Sequence, residues 1–249
     1  MSAISINKIN KTYPGVTPVR ALEDIDLTIN PGEFVALLGP SGCGKSTLLN
    51  LIAGFEKATS GTLLVNNKPV QKPGPERGVV FQEAALFPWL NVWENVAFGP
   101  KVAGKSKSEY EDRAMEMLEI TGLSAFLKHL PVQLSGGMRQ RVGIARVLTL
   151  GSEVLLMDEP FGALDAQTRL SMQELLLSVW HKLRTTILFV THDIDEAILL
   201  ADTIYVMSAR PGKIATKITV PIDRPRTIED TTTEAFNSLK REILKQIRH

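Results

Sequence analysis

Gly39-Pro40-Ser41-Gly42-Cys43-Gly44-Lys45-Ser46-Thr47 lies between the apolar run Phe34-Val35-Ala36-Leu37-Leu38 and the helix-like Leu48-Leu49-Asn50-Leu51-Ile52. A buried strand, a glycine-rich turn and a helix start, in that order, match G-x-x-x-x-G-K-[ST], the phosphate-cradling P-loop. The spacing follows from the chemistry of a multiply charged anion. A single exposed lysine gains only about 1 kcal/mol or less against such an anion in water. Several backbone N–H groups must therefore converge on it, and glycines let the main chain come close and take conformations closed to residues with a Cβ. The following helix adds its dipole and unpaired donors. On this reading Gly39 to Thr47 bind the phosphates, Lys45 reaches the β- and γ-phosphates, and the Ser46 hydroxyl ligates Mg2+.

Outward from this loop, composition sets limits. A chain of 249 residues with 44% hydrophobic and 22% charged content can bury a large core with a subdomain or two. Its longest apolar runs, such as Ile187-Leu188-Phe189-Val190, are far short of the roughly 20 residues of a membrane-spanning helix. Lys+Arg of 28 against Asp+Glu of 27 gives no footprint of a general nucleic-acid binder. The opening Met1-Ser2-Ala3-Ile4-Ser5-Ile6-Asn7 lacks the charged and apolar regions of a secretory signal. One cysteine, Cys43, fits a reducing cytoplasm, and its place in the loop suits a small residue in a tight turn.

Before the loop, Ile4, Ile6 and Ile9, then Leu22, Ile25, Leu27 and Ile29, alternate as in half-buried, antiparallel strands. Between them Tyr13, in the turn-rich Asn10 to Gly15, is either a platform for an adenine ring or a packed edge residue. After the loop, Arg77-Gly78-Val79-Val80-Phe81-Gln82 reads as a strand whose terminal amide, Gln82, is placed to meet Mg2+ or the attacking water. From Glu83 to about Leu150 the texture is helical. Within it, Phe87, Trp89 and Trp93 form either an apolar patch for a protein partner or a cover over the local core.

Leu134-Ser135-Gly136-Gly137 opens a further helix and is either an ordinary N-cap or a second anion seat. With only one P-loop in the chain, a second seat implies a symmetric pair in which Ser135, Gly136 and Gly137 of one copy close over the nucleotide of the other. Glu153-Val154-Leu155-Leu156-Met157-Asp158-Glu159 is an apolar strand ending in paired carboxylates. Asp158 is placed to hold Mg2+ and Glu159 to orient or deprotonate water. A further strand, Thr186 to Val190, leads to Thr191-His192-Asp193, where His192 is a candidate sensor of the γ-phosphate. Pro221 to Arg226 reads as a linker, and Phe236, Leu239, Ile243 and Ile247 as the apolar stripe of a helix that packs on the body or meets a partner.

Taken together, Gly39 to Thr47 (Walker A), Gln82 (Q-loop), Leu134 to Gly137 (signature), Asp158-Glu159 (Walker B and base), Ala163-Leu164-Asp165 (D-loop) and His192 (switch histidine) resemble the ATPase subunit of an ABC transporter, from about Ile4 to Met207. Met138 stands where that family most often has Gln after Ser-Gly-Gly. The resemblance implies an α/β P-loop NTPase with a mostly parallel core sheet, an N-terminal antiparallel β-subdomain and a helical signature subdomain near 84–150. It further implies an ATPase domain over 1–220, with 221–249 a linker and a C-terminal helix packed on the body. It assigns Glu159, His192 and Gln82 to catalysis, Tyr13, the P-loop, Ser135, Gly136, Gly137 and Asp165 to ATP, and Ser46, Gln82 and Asp158 to Mg2+.

Finer features, Phe81-Gln82-Glu83 through Trp89, Asn91-Val92, Glu94 to Gly99 and Ser208-Ala209-Arg210-Pro211-Gly212-Lys213-Ile214, are similar to the nitrate/sulfonate/taurine import branch. The expected partners are a second copy of the chain, transmembrane permease subunits met near Phe87, Trp89 and Trp93, and indirectly a solute-binding protein, with no nucleic acid. The expected place is the cytoplasmic face of the cell membrane, and no regulatory domain is expected after the cassette.

Overall fold

The computed structural model describes residues 4–247, so the opening Met1-Ser2-Ala3 lies outside the described residues. In chain order the elements are β1 (Ile4–Tyr13), β2 (Val19–Ile29), β3 (Phe34–Leu38), α1 (Lys45–Ala53), β4 (Ser60–Val65), β5 (Lys68–Pro69) and β6 (Arg77–Val80). There follow α2 (Val92–Val102), α3 (Lys107–Ile120), α4 (Gly136–Leu150), β7 (Val154–Asp158) and α5 (Ala166–Leu183). The last are β8 (Thr186–Thr191), α6 (Ile194–Leu200), β9 (Thr203–Met207), β10 (Ile214–Thr219) and α7 (Glu234–Ile247). They form two compact units, Met1–Gly74 with Arg184–His249, and Pro75–Leu183.

In the first unit an antiparallel sheet of order β2-β1-β4-β5 buries Ile4, Ile6 and Ile9, with Ser5, Asn7 and Lys8 exposed and the alternation shifted between Ile6 and Ile9, where Lys8 takes φ 46. Beside it, β3 lies between β8 and β9 and pairs with both in parallel, while β10 runs antiparallel to β9. All five residues of β3 are buried, as a strand covered on both faces requires. Each such large side chain contributes roughly 1.5–3 kcal/mol of hydrophobic stabilisation. α1 ends where Gly54, at φ 83, donates its N–H to Asn50 and Leu51 carbonyls, a left-handed stop that glycine takes without strain.

The segment expected to be a linker is tied down. Arg224 donates to Asp202 Oδ1 at 2.6 Å and to Leu200 O, and buried Arg226 donates to Ile198 O at 2.9 Å, Ala201 O at 2.5 Å and Ile222 O at 2.9 Å. The carbonyls of Ile198, Leu200 and Ala201 lie at the end of α6, where helix groups lack internal partners. α7 buries Phe236, Leu239 and Ile243 and packs on α6 and β9, and Lys240 pairs with Asp195 at 2.7 Å.

In the second unit β6 and β7 pair in parallel, with Arg77 opposite Val154 and Val80 opposite Met157. The helical texture begins later than expected: 81–91 is not helical and α2 starts at Val92. Asn91 accepts from Glu94 N at 2.8 Å and Glu94 accepts from Asn91 N at 2.9 Å, a capping box that fixes the start. Pro88 upstream disfavours helix in the residue before it. β6 likewise ends at Val80, leaving Phe81 and Gln82 beyond the ladder.

Candidate functional site

Leu38 lies opposite Thr191 across the β3–β8 pair and opposite Val206 across the β3–β9 pair. The carboxyl ends of three neighbouring strands therefore open on one edge. Gly39 and His192 are the next residues on adjacent strands, and the turn 208–213 leaves the third. Ligands of parallel α/β sheets gather at such an edge.

The P-loop leaves β3 there. A Cβ on Gly39 would lie 2.9 Å from Cys43 Sγ and 3.0 Å from Met207 O, so glycine is the residue the crowding permits. Gly44, at φ 104, turns the chain into α1 and makes no side-chain cap. The first turn of α1 carries no acidic residue, which suits a helix N-terminus that receives an anion. Lys45 is 5% exposed, and its ammonium donates to Gly39 O at 2.8 Å and Pro40 O at 3.1 Å. Ser41, Gly42 and Ser46 are exposed, Pro40 and Thr47 half-buried, and Cys43 buried.

Two more groups of this unit stand near the loop. Arg210 Nε donates to Gly42 O at 2.9 Å, and a Cβ on Gly212 would meet Cys43 O at 2.0 Å. His192 is exposed, while the next residue, Asp193, caps α6 by accepting from Asp195 N at 2.8 Å and Glu196 N at 3.2 Å. Tyr13, at the end of β1, is half-buried with Lys11 Nζ 4.6 Å from its ring centroid.

The second unit carries Gln82, the signature, the paired carboxylates and Asp165. Asp158 ends β7, and Glu159 follows at φ 44, a left-handed conformation that costs a residue with a Cβ roughly 1–2 kcal/mol. Such strain clusters where a side chain must be aimed. Gly162 N donates to Glu159 O at 3.0 Å, and a Cβ on Gly162 would lie 3.1 Å from Gln82 Nε2. Ser135 caps α4, accepting from Met138 N at 3.3 Å, which leaves its O–H able to donate. A Cβ on Gly137 would lie 2.4 Å from Thr168 Cγ2. Asp165 accepts from Thr168 N at 2.9 Å, and the Thr168 backbone and hydroxyl hold its carboxyl below the usual carboxylate range. Gln82, Gly136, Ala163 and Leu164 line one cavity of about 450 Å³.

The aromatic segment divides. Phe87 is half-buried and lies tilted against Phe98 with centroids 4.2 Å apart, whereas Trp89 is 72% exposed. Trp93 is half-buried. Fully buried Asn95 holds this segment: it accepts from Phe87 N at 3.0 Å and donates to the carbonyls of Phe87, Leu90 and Asn91. Arg146, its pKa lowered by burial, donates to Ala85 O at 3.0 Å and Ala84 O at 3.3 Å.

The donor chemistry suits a nucleotide and a hard cation. A glycine cradle that a Cβ would fill, a buried ammonium and a helix N-terminus with no acid in its first turn match an oxyanion chain. Ser46, Gln82 and Asp158 offer oxygen donors. Oxygen is the donor type that Mg2+ takes, and among the described residues no group of three or more His, Cys, Asp or Glu could hold a metal by itself.

Lys11, Asn95, Arg146 and Arg210 carry no motif of their own, and in the sequence they stand at most as members of longer stretches. Only the folded contacts disclose what they hold.

The chain's sequence matches the pattern of the ABC transporter family over residues 22–162. It is 44% identical over 248 residues to the aliphatic sulfonates import ATP-binding protein SsuB of Bacillus thuringiensis subsp. konkukian, covering 99% of this chain and 96% of that one. It is 49% identical over 218 residues to the taurine import ATP-binding protein TauB of Pseudomonas fluorescens, covering 88% of this chain and 82% of that one. Among solved structures, it resembles the ATP-binding cassette MJ0796 in a dimeric post-hydrolysis state bound to ADP and Pi. The TM-score is 0.75 at 32% identity, covering 88% of this chain and all of that one.

Proposed function

The chain belongs to the ABC transporter family, and from that membership we propose that it is the ATPase subunit of an importer for a small organic anion, a sulfonate such as taurine. Two copies bind two ATP between them, and closing and reopening the pair moves permease subunits between access states. The observation that carries the nucleotide part is the buried Lys45 ammonium, closed on the carbonyls of its own glycine loop at the start of α1.

Within one copy the residues act as follows. Lys45 exchanges the carbonyls of Gly39 and Pro40 for β- and γ-phosphate oxygens, and the amides of Gly39 to Thr47 supply the remaining donors. Tyr13 stacks on the base. Ser46, Asp158 and the Gln82 carboxamide hold Mg2+, which when bound neutralises phosphate charge. Glu159, its backbone set at φ 44, accepts the proton of the attacking water, and His192 hydrogen-bonds the γ-phosphate. Ser135, Gly136 and Gly137 of a second copy cap the same phosphates, with Asp165 beside them. Only the γ-phosphate distinguishes the states, so contacts made to it alone switch the pair.

Residues 1–220 form the ATPase domain in this reading, and 221–249 an appendage that packs on it. Among the described residues no helix is long and apolar enough to cross a membrane. As the ATP-binding part of an import system, the chain works from the cytoplasmic face of the cell membrane, through permease contacts at Phe87, Trp89 and Trp93. A solute-binding protein selects the anion on the other side.

The test is reconstitution of the chain with its permease subunits in proteoliposomes. Hydrolysis should rise when the binding protein is loaded with taurine or an alkanesulfonate. ATP turnover indifferent to every sulfonate and to nitrate would remove the substrate reading and leave the ATPase reading intact.

A further inference from the structure

The Lys11 side chain is 10% exposed, and its ammonium donates to Glu56 Oε2 at 2.8 Å and to Lys57 O at 2.9 Å and sits 4.6 Å from the Tyr13 ring centroid. Lys11 and Tyr13 are two apart on β1, so their side chains leave the same face of the strand. Glu56 and Lys57 belong to the turn that follows α1, whose other end carries Lys45.

We propose that Lys11 is a positioning residue for the base of the nucleoside triphosphate, locking the Tyr13 ring in the orientation on which a purine stacks. It rests on the nucleotide reading of Tyr13 given above. A tyrosine at the end of an edge-facing turn turns freely about two side-chain torsions, and a stacking partner must first halt that motion. A cation over one face supplies an attraction of about 0.5–1 kcal/mol where exposed and about 2 kcal/mol or more where desolvated. Such an anchor restrains the ring only if the cation is itself fixed. Two hydrogen bonds from the Nζ to groups outside β1 fix it. Ordering the ring before binding removes that cost from the binding step. The same bonds make one brace of Tyr13, Lys11, the turn after α1 and α1 itself, so the base platform and the phosphate loop keep a set separation.

The test measures binding of ATP and of inorganic tripolyphosphate, which lacks a base, to the full chain and to K11M, K11R, Y13A and the K11M/Y13A double variant. The expected result is an ATP Kd raised about threefold to thirtyfold in K11M, the range from an exposed to a desolvated cation–π contact. Tripolyphosphate affinity stays at the wild-type level, K11R recovers most of the loss, and the double variant binds ATP no more weakly than Y13A. In ATPase assays the K11M loss falls on KM. Equal weakening of ATP and tripolyphosphate would mean that Lys11 only supports the fold and would overturn the proposal. So would an unchanged K11M beside a weakened Y13A, a result that leaves the stacking role of Tyr13 standing. An unchanged Y13A would remove both, while failure of the wild-type chain to bind either ligand would strike the nucleotide reading itself.

Discussion

Arg210 Nε donates a 2.9 Å hydrogen bond to the carbonyl oxygen of Gly42, in the middle of the phosphate loop. The Gly42 carbonyl and the Cys43 N–H share one planar peptide and point in opposite directions. A cation on the carbonyl therefore both orients and polarises the N–H on the other side. In R210A that restraint goes, and the KM for ATP should rise about fivefold, the equivalent of roughly 1 kcal/mol for a hydrogen bond to a charged group at an exposed site. R210K should recover part of it. Steady-state ATPase assays read the result, and an unchanged KM would mean that Gly212, pressed on Cys43 O, sets the loop alone.

Glu159→Gln keeps the size and hydrogen-bonding capacity of the side chain at φ 44 but cannot accept the proton. Hydrolysis should fall by at least about 100-fold while ATP binding persists. Size-exclusion chromatography with ATP should then show a long-lived dimer. Wild-type phosphate release by this variant would exclude Glu159 as the base.

Asn95→Ala strands the Phe87 N–H and the Leu90 carbonyl, while the Phe87 and Asn91 carbonyls keep the backbone N–H groups of Leu90 and Asn95. A loss of about 2–4 kcal/mol in unfolding free energy is expected from urea titration. Near-wild-type stability would mean that water replaces the amide. Permease stimulation of hydrolysis should weaken more than basal ATPase, because the segment held by Asn95 carries exposed Trp89.

The pH dependence of α5 follows from Asp165. Thr168 holds the folded carboxyl below its ordinary value of 3.8, so on acidification the unfolded chain takes up the proton first. The stabilisation is complete above about pH 4 and is lost as pH falls through the folded value. D165N caps a helix about as well but does not titrate. The stability difference between wild type and D165N should be constant from about pH 7 to 5 and shift against the wild type below about pH 4. Parallel urea curves at all pH values would contradict it.

The phosphate loop was legible because its nine residues are contiguous and their spacing is dictated by one ligand. Asp158-Glu159 was legible for a similar reason: the two carboxylates adjoin in the chain at the end of one continuous apolar run. The contacts that aim these groups were not. Arg210 meets Gly42 across 168 positions, and Arg146 meets Ala85 across 61, so no window along the chain contains both partners. The antiparallel opening sheet and the buried β3 followed from alternation and from continuous apolarity. The non-helical 81–91 did not, because its apolar residues look helical until Asn91 is seen to cap α2 and Asn95 to fasten the backbone before it. Pro221 to Arg226 reads as a linker in the sequence, and its arginines are seen to hold the carbonyls at the end of α6 only in the fold.

Thr168 leaves no room for a methyl on Gly137. The opening turns of α4 and α5 are thus in gear, tooth against gap. A single added carbon at Gly137 would press on Thr168, and through it on the start of α5, where Asp165 accepts the Thr168 N–H.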